Sequence, residues 1–213
     1  MSNINDVMRD LGQLVSINTT SNLSNIGLID WAEDRFRPLG AKCVRIPNSD
    51  GTKQNLWVHF GPECPGGVVL SGHTDVVPVD GQDWRTDPFE MVERDARLFG
   101  RGTSDMKCFI AFCSAYAPLF AQAGLKRPLH IALSYDEEVG CTGAPAMIER
   151  ISNSTMRPSI AWVGEPTNWR VVSGHKGNIV TRVEVTGHEA HSSQTHLGVS
   201  AIQSAIRLMA VLQ

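Results

Sequence analysis

Hydrophobic residues recur along the first sixty positions at two different spacings. Apolar side chains three or four positions apart predict two amphipathic helices near the start of the chain, and Gly40 is placed to end the second one. Alternation of apolar residues with Trp57 and His59 then predicts a strand with one covered face. The predicted elements are helices at residues 4–15 and 29–39, a polar loop at 18–25, and strands at 42–46 and 55–60.

Short apolar runs alternate with helical segments from residue 68 onwards. The run Val68–Leu70 suits a strand covered on both faces, and Gly72 frees the backbone as the chain leaves the sheet. The uncharged segment Cys108–Leu125 contains polar side chains, so it predicts a buried helix rather than a membrane span. Further predicted elements are a hairpin at 89–99, strands at 129–135 and 160–164, and a helix at 143–151. This alternation is typical of an α/β domain with a mostly parallel sheet flanked by helices.

The pattern changes after residue 174. We predict a strand at 178–186, a loop with the sequence GHEAHSSQTH, and a helix at 197–212. One strand and one helix cannot bury their own apolar faces. The expected organisation is therefore an incomplete catalytic domain at residues 1–174 and the beginning of an α+β domain at 175–213.

The composition and charge of the chain argue against some classes of function. The chain has 213 residues with a formal net charge of −3, and no basic run that would attract nucleic acid or an anionic membrane. Its five cysteines form no C-x-x-C pair, which favours a reducing compartment over a disulfide framework. The N-terminal sequence MSNINDVMRD lacks the features of a signal peptide. These observations predict a cytoplasmic protein that binds neither nucleic acid nor membranes.

Candidate chemistry lies at the ends of the predicted strands. His73 follows the first buried strand, Asp105 precedes the buried helix, and Glu138 and Glu165 follow the next two strands. Their successive separations are 27 to 33 residues, about the length of one strand, helix and strand repeat of roughly 30 residues. The carboxyl ends of parallel strands meet at one edge of a sheet. One imidazole and several carboxylates at that edge predict a site for Zn, Mn or Co.

Each residue also has a structural interpretation. His73 alone would more often be a core or capping histidine, and Asp105 alone is as often the N-cap of a helix as a ligand. Glu137 and Glu138 alone would be a solvated turn, and Asp75 a turn cap. The metal interpretation gains weight because the strand ends match jointly.

The adjacent residues Glu137 and Glu138 are predicted to have different roles. If they lie in extended chain, their side chains point to opposite sides, and only one of them can bind the metal. We predict that Glu137 is the other one. It would take a proton from water and give it to the departing amine.

Four motifs carry a resemblance to a known family. The segments SGHTDVVPVDGQDW, FGRGTSDMK, SYDEEVGCTG and GEPT, in this order, resemble the M20 family of dinuclear zinc aminoacyl hydrolases, most closely its acetylornithine deacetylases. The resemblance covers essentially the whole chain. It implies a zinc-exopeptidase-like catalytic domain, followed by a lid and dimerisation domain, and a homodimer in the complete protein.

The resemblance implies a ligand set. His73 and Glu165 would bind one zinc, Asp105 would bridge two, and Glu138 would bind the second. Two zinc ions per complete subunit are expected, with cobalt as the alternative metal. The family's second zinc takes a further histidine that would lie beyond Gln213.

The resemblance also implies catalytic residues. Asp75 would hold the imidazole of His73 in its metal-binding tautomer, and Glu137 would be the general base. His191 would reach across the dimer into the partner's active site and help to stabilise the oxyanion.

A small N-acyl amino acid is the substrate that the resemblance implies. The expected reaction removes the acetyl group from N2-acetyl-L-ornithine, giving L-ornithine and acetate for arginine biosynthesis. Two alternatives remain open at this stage. One is another M20 deacylase, such as succinyl-diaminopimelate desuccinylase, and the other is a truncated, non-catalytic fragment that acts only by association.

Overall fold

The computed structural model describes residues 4–174, 176–177, 179 and 181–212. The chain divides into two compact units, Met1–Arg170 and Val171–Gln213. This division falls four residues before the predicted boundary between positions 174 and 175. The assignment of the units as catalytic and lid domains stays a prediction.

The first unit contains four helices and seven strands among its described residues. The helices are α1 (Ile4–Ser16), α2 (Ile26–Phe36), α3 (Lys107–Gln122) and α4 (Ala144–Ser152). The strands are β1 (Lys42–Pro47), β2 (Gln54–Phe60), β3 (Val68–His73), β4 (Val92–Arg94), β5 (Arg97–Phe99), β6 (Leu129–Ser134) and β7 (Ile160–Val163). A short 3-10 helix at Arg37–Leu39 extends α2 and ends at Gly40, whose φ is +82°.

Five of the strands form one mixed sheet in the order β1-β2-β6-β3-β7. Strands β6, β3 and β7 run parallel, whereas β1 and β2 pair antiparallel with each other and β2 pairs antiparallel with β6. The predicted α/β class is confirmed. The candidate residues His73, Glu138 and Glu165 lie at or shortly after the ends of these three parallel strands, and β4 and β5 form the predicted hairpin.

Helices cover both faces of this sheet. On one face, α1, α2 and α3 pack with Leu56, Val58 and Leu133 in the larger apolar cluster. On the other face, α4 contributes Met147 to a smaller cluster with Trp57. Strand β2 therefore differs from its prediction, since residues 55–60 are all buried and not only the alternate ones. A central position between two layers covers both faces of a strand.

The parallel register brings the candidate segments to one edge. His73, the last residue of β3, lies opposite Ser134, the last residue of β6. Ser71 lies opposite Val163, the last residue of β7. The segments that leave these strands therefore start from the same edge of the sheet, where open α/β sheets bind ligands.

The second unit contains a 3-10 helix at Ser192–Leu197 and helix α5 (Ala201–Leu212). The strand predicted at 178–186 is wrong for residues 179 and 181–186, which have no regular secondary structure. Positions 178 and 180 lie outside the described residues. Within the described part of this unit no second strand runs alongside, so an extended segment has no ladder of hydrogen bonds to join. The helix predicted from 197 begins at Ala201, because Gly198 is extended.

Helix α3 occupies most of the uncharged segment 108–125. Among the described residues, no helix combines the length and apolar character needed to cross a membrane.

Candidate metal centre

The imidazole of His73 lies at the centre of a ring of carboxylates. Its side chain is 1% exposed at the end of β3. Atom Nε2 lies 3.0 Å from Asp105 Oδ1, 3.7 Å from Glu165 Oε1 and 3.9 Å from Glu137 Oε2. The carboxylates are more exposed than the imidazole, at 35 to 49%. The site is therefore a rim of acids above one buried nitrogen.

Two overlapping groups of side chains have the geometry of a cation site. The ligand atoms of His73, Asp105 and Glu165 lie within 4.8 Å of one another, and so do those of His73, Glu137 and Glu138. The structure thus brings all four predicted metal ligands to one place. Their individual roles stay predictions.

Asp75 contacts the other nitrogen of His73. Nδ1 lies 2.9 Å from the backbone carbonyl oxygen of Asp75 and 3.6 Å from its carboxylate Oδ1. A proton on Nδ1 that is donated to this carbonyl leaves the lone pair of Nε2 facing the acids. The carbonyl is the nearer acceptor, and the predicted role of the Asp75 carboxylate in holding the tautomer stays a prediction.

Glu137 and Glu138 lie in a turn after β6 and not in extended chain. The amide of Gly140 donates to the carbonyl of Glu137 at 3.1 Å, and Asp136, which precedes the pair, has a φ of +58°. Both carboxylates consequently belong to the group around His73. The premise that adjacent side chains point to opposite sides is wrong here. The choice of Glu137 and not Glu138 as the base therefore rests on the family resemblance.

Asp105 does not cap the helix that follows it. The N-cap residue of α3 is Met106, and the helix start has no side-chain cap. The carboxylate of Asp105 instead lies at hydrogen-bond distance from His73. The capping interpretation is therefore wrong.

The negative charges crowded around His73 shift the pKa values of this group of residues. Burial alone would lower the pKa of His73, but the carboxylates of Asp75, Glu165 and Asp105 raise it to about 9. Burial and the nearby charge of Asp105 raise the pKa of Glu138 and of Glu165. Like charges held this close oppose each other's ionisation. A divalent cation would relieve that opposition, and one nitrogen with several carboxylate oxygens is a donor set that suits zinc.

His191 belongs to the second unit. It is the N-cap of the 3-10 helix Ser192–Leu197, where its Nδ1 lies 2.8 Å from the hydroxyl oxygen of Ser193 and accepts from the Ser193 amide. The side chain is exposed. Its predicted oxyanion role stays a prediction.

Ser21 and Asn55 support this group from behind and were not predicted from the sequence. The carboxylate of Asp75 accepts hydrogen bonds from the Ser21 hydroxyl at 2.7 Å and from the amides of Glu137 and Glu138 at 3.0 and 3.2 Å. Asn55 accepts from the Tyr135 amide at 3.2 Å. No local pattern signals these contacts, because the partners are 54 to 80 positions apart.

Comparison with known proteins identifies the class. Residues 69–210 match the family described as peptidase family M20/M25/M40. That match covers more than half of the chain, so the chain belongs to this family. The resemblance drawn from the four motifs is confirmed.

Two relatives at moderate identity share a name. The acetylornithine deacetylase of Shigella sonnei is 38% identical over 182 residues, which are 84% of this chain and 46% of that protein. The acetylornithine deacetylase of Pasteurella multocida is 36% identical over 189 residues, 88% of this chain and 48% of that protein. The chain thus spans about half the length of these relatives.

Solved structures share the fold at lower identity. The crystal structure of human carnosine dipeptidase 1 matches 75% of this chain and 38% of its own, with a TM-score of 0.63 and 23% identity. A tripeptidase from Staphylococcus aureus matches 99% of this chain and 57% of its own, with a TM-score of 0.65 and 17% identity.

Proposed function

We propose that the protein to which this chain belongs is a zinc-dependent amide hydrolase. It removes the acetyl group from N2-acetyl-L-ornithine and gives L-ornithine and acetate, a step of arginine biosynthesis. The observation that carries the proposal is the ring of carboxylate oxygens within 3.9 Å of Nε2 of His73. The substrate rests on the two relatives named acetylornithine deacetylase.

Hydrolysis of an amide needs a strong nucleophile and stabilisation of the tetrahedral oxyanion. A bound zinc ion supplies both, because it lowers the pKa of water to about 7 and polarises the carbonyl group. We assign His73 and Glu165 to one ion, Asp105 to a position between two ions, and Glu138 to the second. The buried imidazole offers Nε2 because its Nδ1 faces the Asp75 carbonyl oxygen at 2.9 Å.

Glu137 is assigned to proton transfer. Its carboxylate is 40% exposed, and in the described part of the chain it forms no ion pair with a lysine or arginine. It can therefore accept a proton from an attacking water molecule and release it to the leaving amine. The hydrogen bond from the Glu137 amide to Asp75 holds the backbone of this residue at the site.

The remaining expectations belong to the same proposal. Helix α5 leaves Ile202, Ile206 and Met209 60 to 74% exposed, and this apolar face supports a homodimer formed through the second unit. His191 would serve the oxyanion of the partner's site. All five cysteines are free thiols, which supports a cytoplasmic location.

A substitution that keeps the shape of Glu137 tests the mechanism. The protein to which this chain belongs is purified, loaded with zinc and offered N2-acetyl-L-ornithine and N-succinyl-diaminopimelate. We expect the acetyl substrate to be preferred. We expect Glu137→Gln to lower kcat by about 10²–10⁴-fold with zinc still bound, whereas the exposed control Glu93→Gln is unaffected.

Other outcomes of this experiment have distinct meanings. Preference for the succinyl substrate would replace the proposed substrate by that of the desuccinylases. Zinc binding with no turnover of either substrate would favour the alternative of a non-catalytic protein that acts only by association. Full activity of Glu137→Gln would remove this residue from the reaction.

A further inference from the structure

A closed ring of contacts lies behind the two glutamates. It begins at Asp75, whose Oδ2 accepts from the hydroxyl of Ser21 at 2.7 Å and whose Oδ1 accepts from the amide of Glu137 at 3.0 Å. The carbonyl oxygen of the same Ser21 accepts from the ammonium group of Lys53. Lys53 also pairs with the carboxylate of Asp136, the residue that precedes Glu137. The ring closes through the peptide bond between Asp136 and Glu137.

Lys53 connects two chain segments that Asp75 also connects. One is the loop that contains Ser21, and the other is the turn that contains the glutamates. The side chains of Lys53 and Asp136 are each 14% exposed, so little water screens their attraction. The other carboxylate oxygen of Asp136 accepts from the Thr142 hydroxyl at 3.0 Å.

The turn needs this support because of its backbone. Asp136 has a φ of +58°, a conformation that residues with side chains adopt at a cost and keep only when their surroundings hold them. The positive φ precedes two successive amides, those of Glu137 and Glu138, that both donate to Asp75. A change in the conformation of Asp136 would move both amides and both carboxylates.

We propose that Lys53 is a positioning residue, which fixes Asp136 and thereby holds the carboxylates of Glu137 and Glu138 beside His73. It touches none of the candidate ligands itself and acts through Ser21 and Asp136. The inference rests on the proposed function for its consequence, zinc binding and hydrolysis. The positioning of the two glutamates by Lys53 is a property of the metal-free chain. It can therefore be measured without zinc binding and without hydrolysis.

Hydrogen exchange of the metal-free chain tests whether Lys53 positions the turn that contains the two glutamates. In Lys53→Met we expect the amides of Glu137 and Glu138 to exchange about tenfold faster, while the amide of Ile131 in β6 keeps its rate. Lys53→Arg retains charge and donors and should restore most of the protection. The matched control is Lys42→Met, which removes a more exposed lysine paired with Glu63.

Metal affinity tests the consequence. Loss of residues that orient ligands typically costs about 10–100-fold in metal affinity or activity. We expect Lys53→Met to weaken zinc binding, measured by calorimetry, by about tenfold, and Lys53→Arg to restore it to within about threefold. Asp136→Asn should have a similar effect, and the double variant Lys53→Met with Asp136→Asn should be no worse than either single variant. Asp136→Asn also replaces Lys53→Met if the latter does not fold.

The outcomes separate the two proposals. Unchanged exchange of the Glu137 and Glu138 amides in Lys53→Met, or in Asp136→Asn if that variant is used instead, would overturn the positioning role. Equal loss of protection throughout the first unit would also overturn it, because Lys53 would then be a general structural contact. Absence of zinc binding in the unaltered chain would overturn the proposed function and leave the exchange result to decide the role of Lys53.

Discussion

Replacement of Asp75 by asparagine tests how the group of acids is held. The carboxylate accepts hydrogen bonds from three donors, the Ser21 hydroxyl and the amides of Glu137 and Glu138, and the side chain is 3% exposed. An asparagine has one acceptor oxygen and one donating amide group. Whichever way it turns, at least one of these donors faces another donor.

The expected cost follows from those contacts. A buried donor left without a partner costs about 1–3 kcal/mol, and hydrogen bonds to a charged acceptor are worth about 1.5–3 kcal/mol each against about 1 for neutral ones. We therefore expect Asp75→Asn to lower the free energy of unfolding by about 3 kcal/mol. We also expect zinc affinity to fall about 10–100-fold, because the ring of His73 and the turn of the glutamates lose their common anchor.

Urea unfolding in the presence of a chelator measures this change. All five tryptophans lie before residue 171, so their fluorescence reports on the first unit. Asp80→Asn, in the exposed loop that follows, is the matched control and should be neutral. A loss below about 1 kcal/mol for Asp75→Asn, within the range of an ordinary neutral hydrogen bond, would refute the idea that its charge organises the site.

Three further substitutions test other parts of the fold. Burial and the nearby imidazole of His59 lower the pKa of His130 to about 4. An unfolded histidine titrates near 6.5, so stability is full above about pH 6.5 and falls by about 3 kcal/mol as the pH drops to 4. His130→Phe should flatten this slope in urea unfolding at pH 7 and 5, and equal slopes would contradict the prediction. In Lys107→Met, the backbone carbonyl groups of Leu14 and Ile17 near the end of α1 lose the hydrogen bonds from the Lys107 ammonium group. This loss should cost about 1–3 kcal/mol in the same assay, and a neutral result would contradict it. At Gly67 the φ is +82°, and an added Cβ would lie 2.0 Å from the carbonyl oxygen of Pro128. Gly67→Ala should therefore lower the thermal midpoint of unfolding. An unchanged midpoint would show that the strand can shift.

The strand ends could be predicted from the sequence because their signals are local. An apolar run, a glycine and then His73 is a pattern that needs no knowledge of distant residues. It correctly placed His73 at the carboxyl end of β3, although Gly72 lies within the strand and not where the chain leaves the sheet. The same holds for β6 and β7, which end at Ser134 and Val163, close to the predicted ends. Because the sheet edge is common to all three, the convergence of their carboxylates followed from topology.

Features that depend on contacts between distant residues could not be predicted from local sequence patterns. His59 is buried because β2 is a central strand. Nδ1 of His59 lies 3.4 Å from Nδ1 of His130, which is 71 positions away in the sequence. The left-handed conformation of Asp136, which turns the two glutamates to the same group, depends on contacts with Lys53 and Thr142. The alternating pattern at 178–186 predicts a strand, but a strand forms only where another strand can pair with it.

The most direct test of the central claim is anomalous X-ray diffraction at the zinc absorption edge from crystals grown with zinc. We predict a peak about 2.0–2.1 Å from Nε2 of His73 and about 2.0–2.2 Å from carboxylate oxygens of Asp105 and Glu165. A zinc-bound crystal with no peak at His73, or with every peak at other residues, would contradict the proposal that this sheet edge is a metal centre.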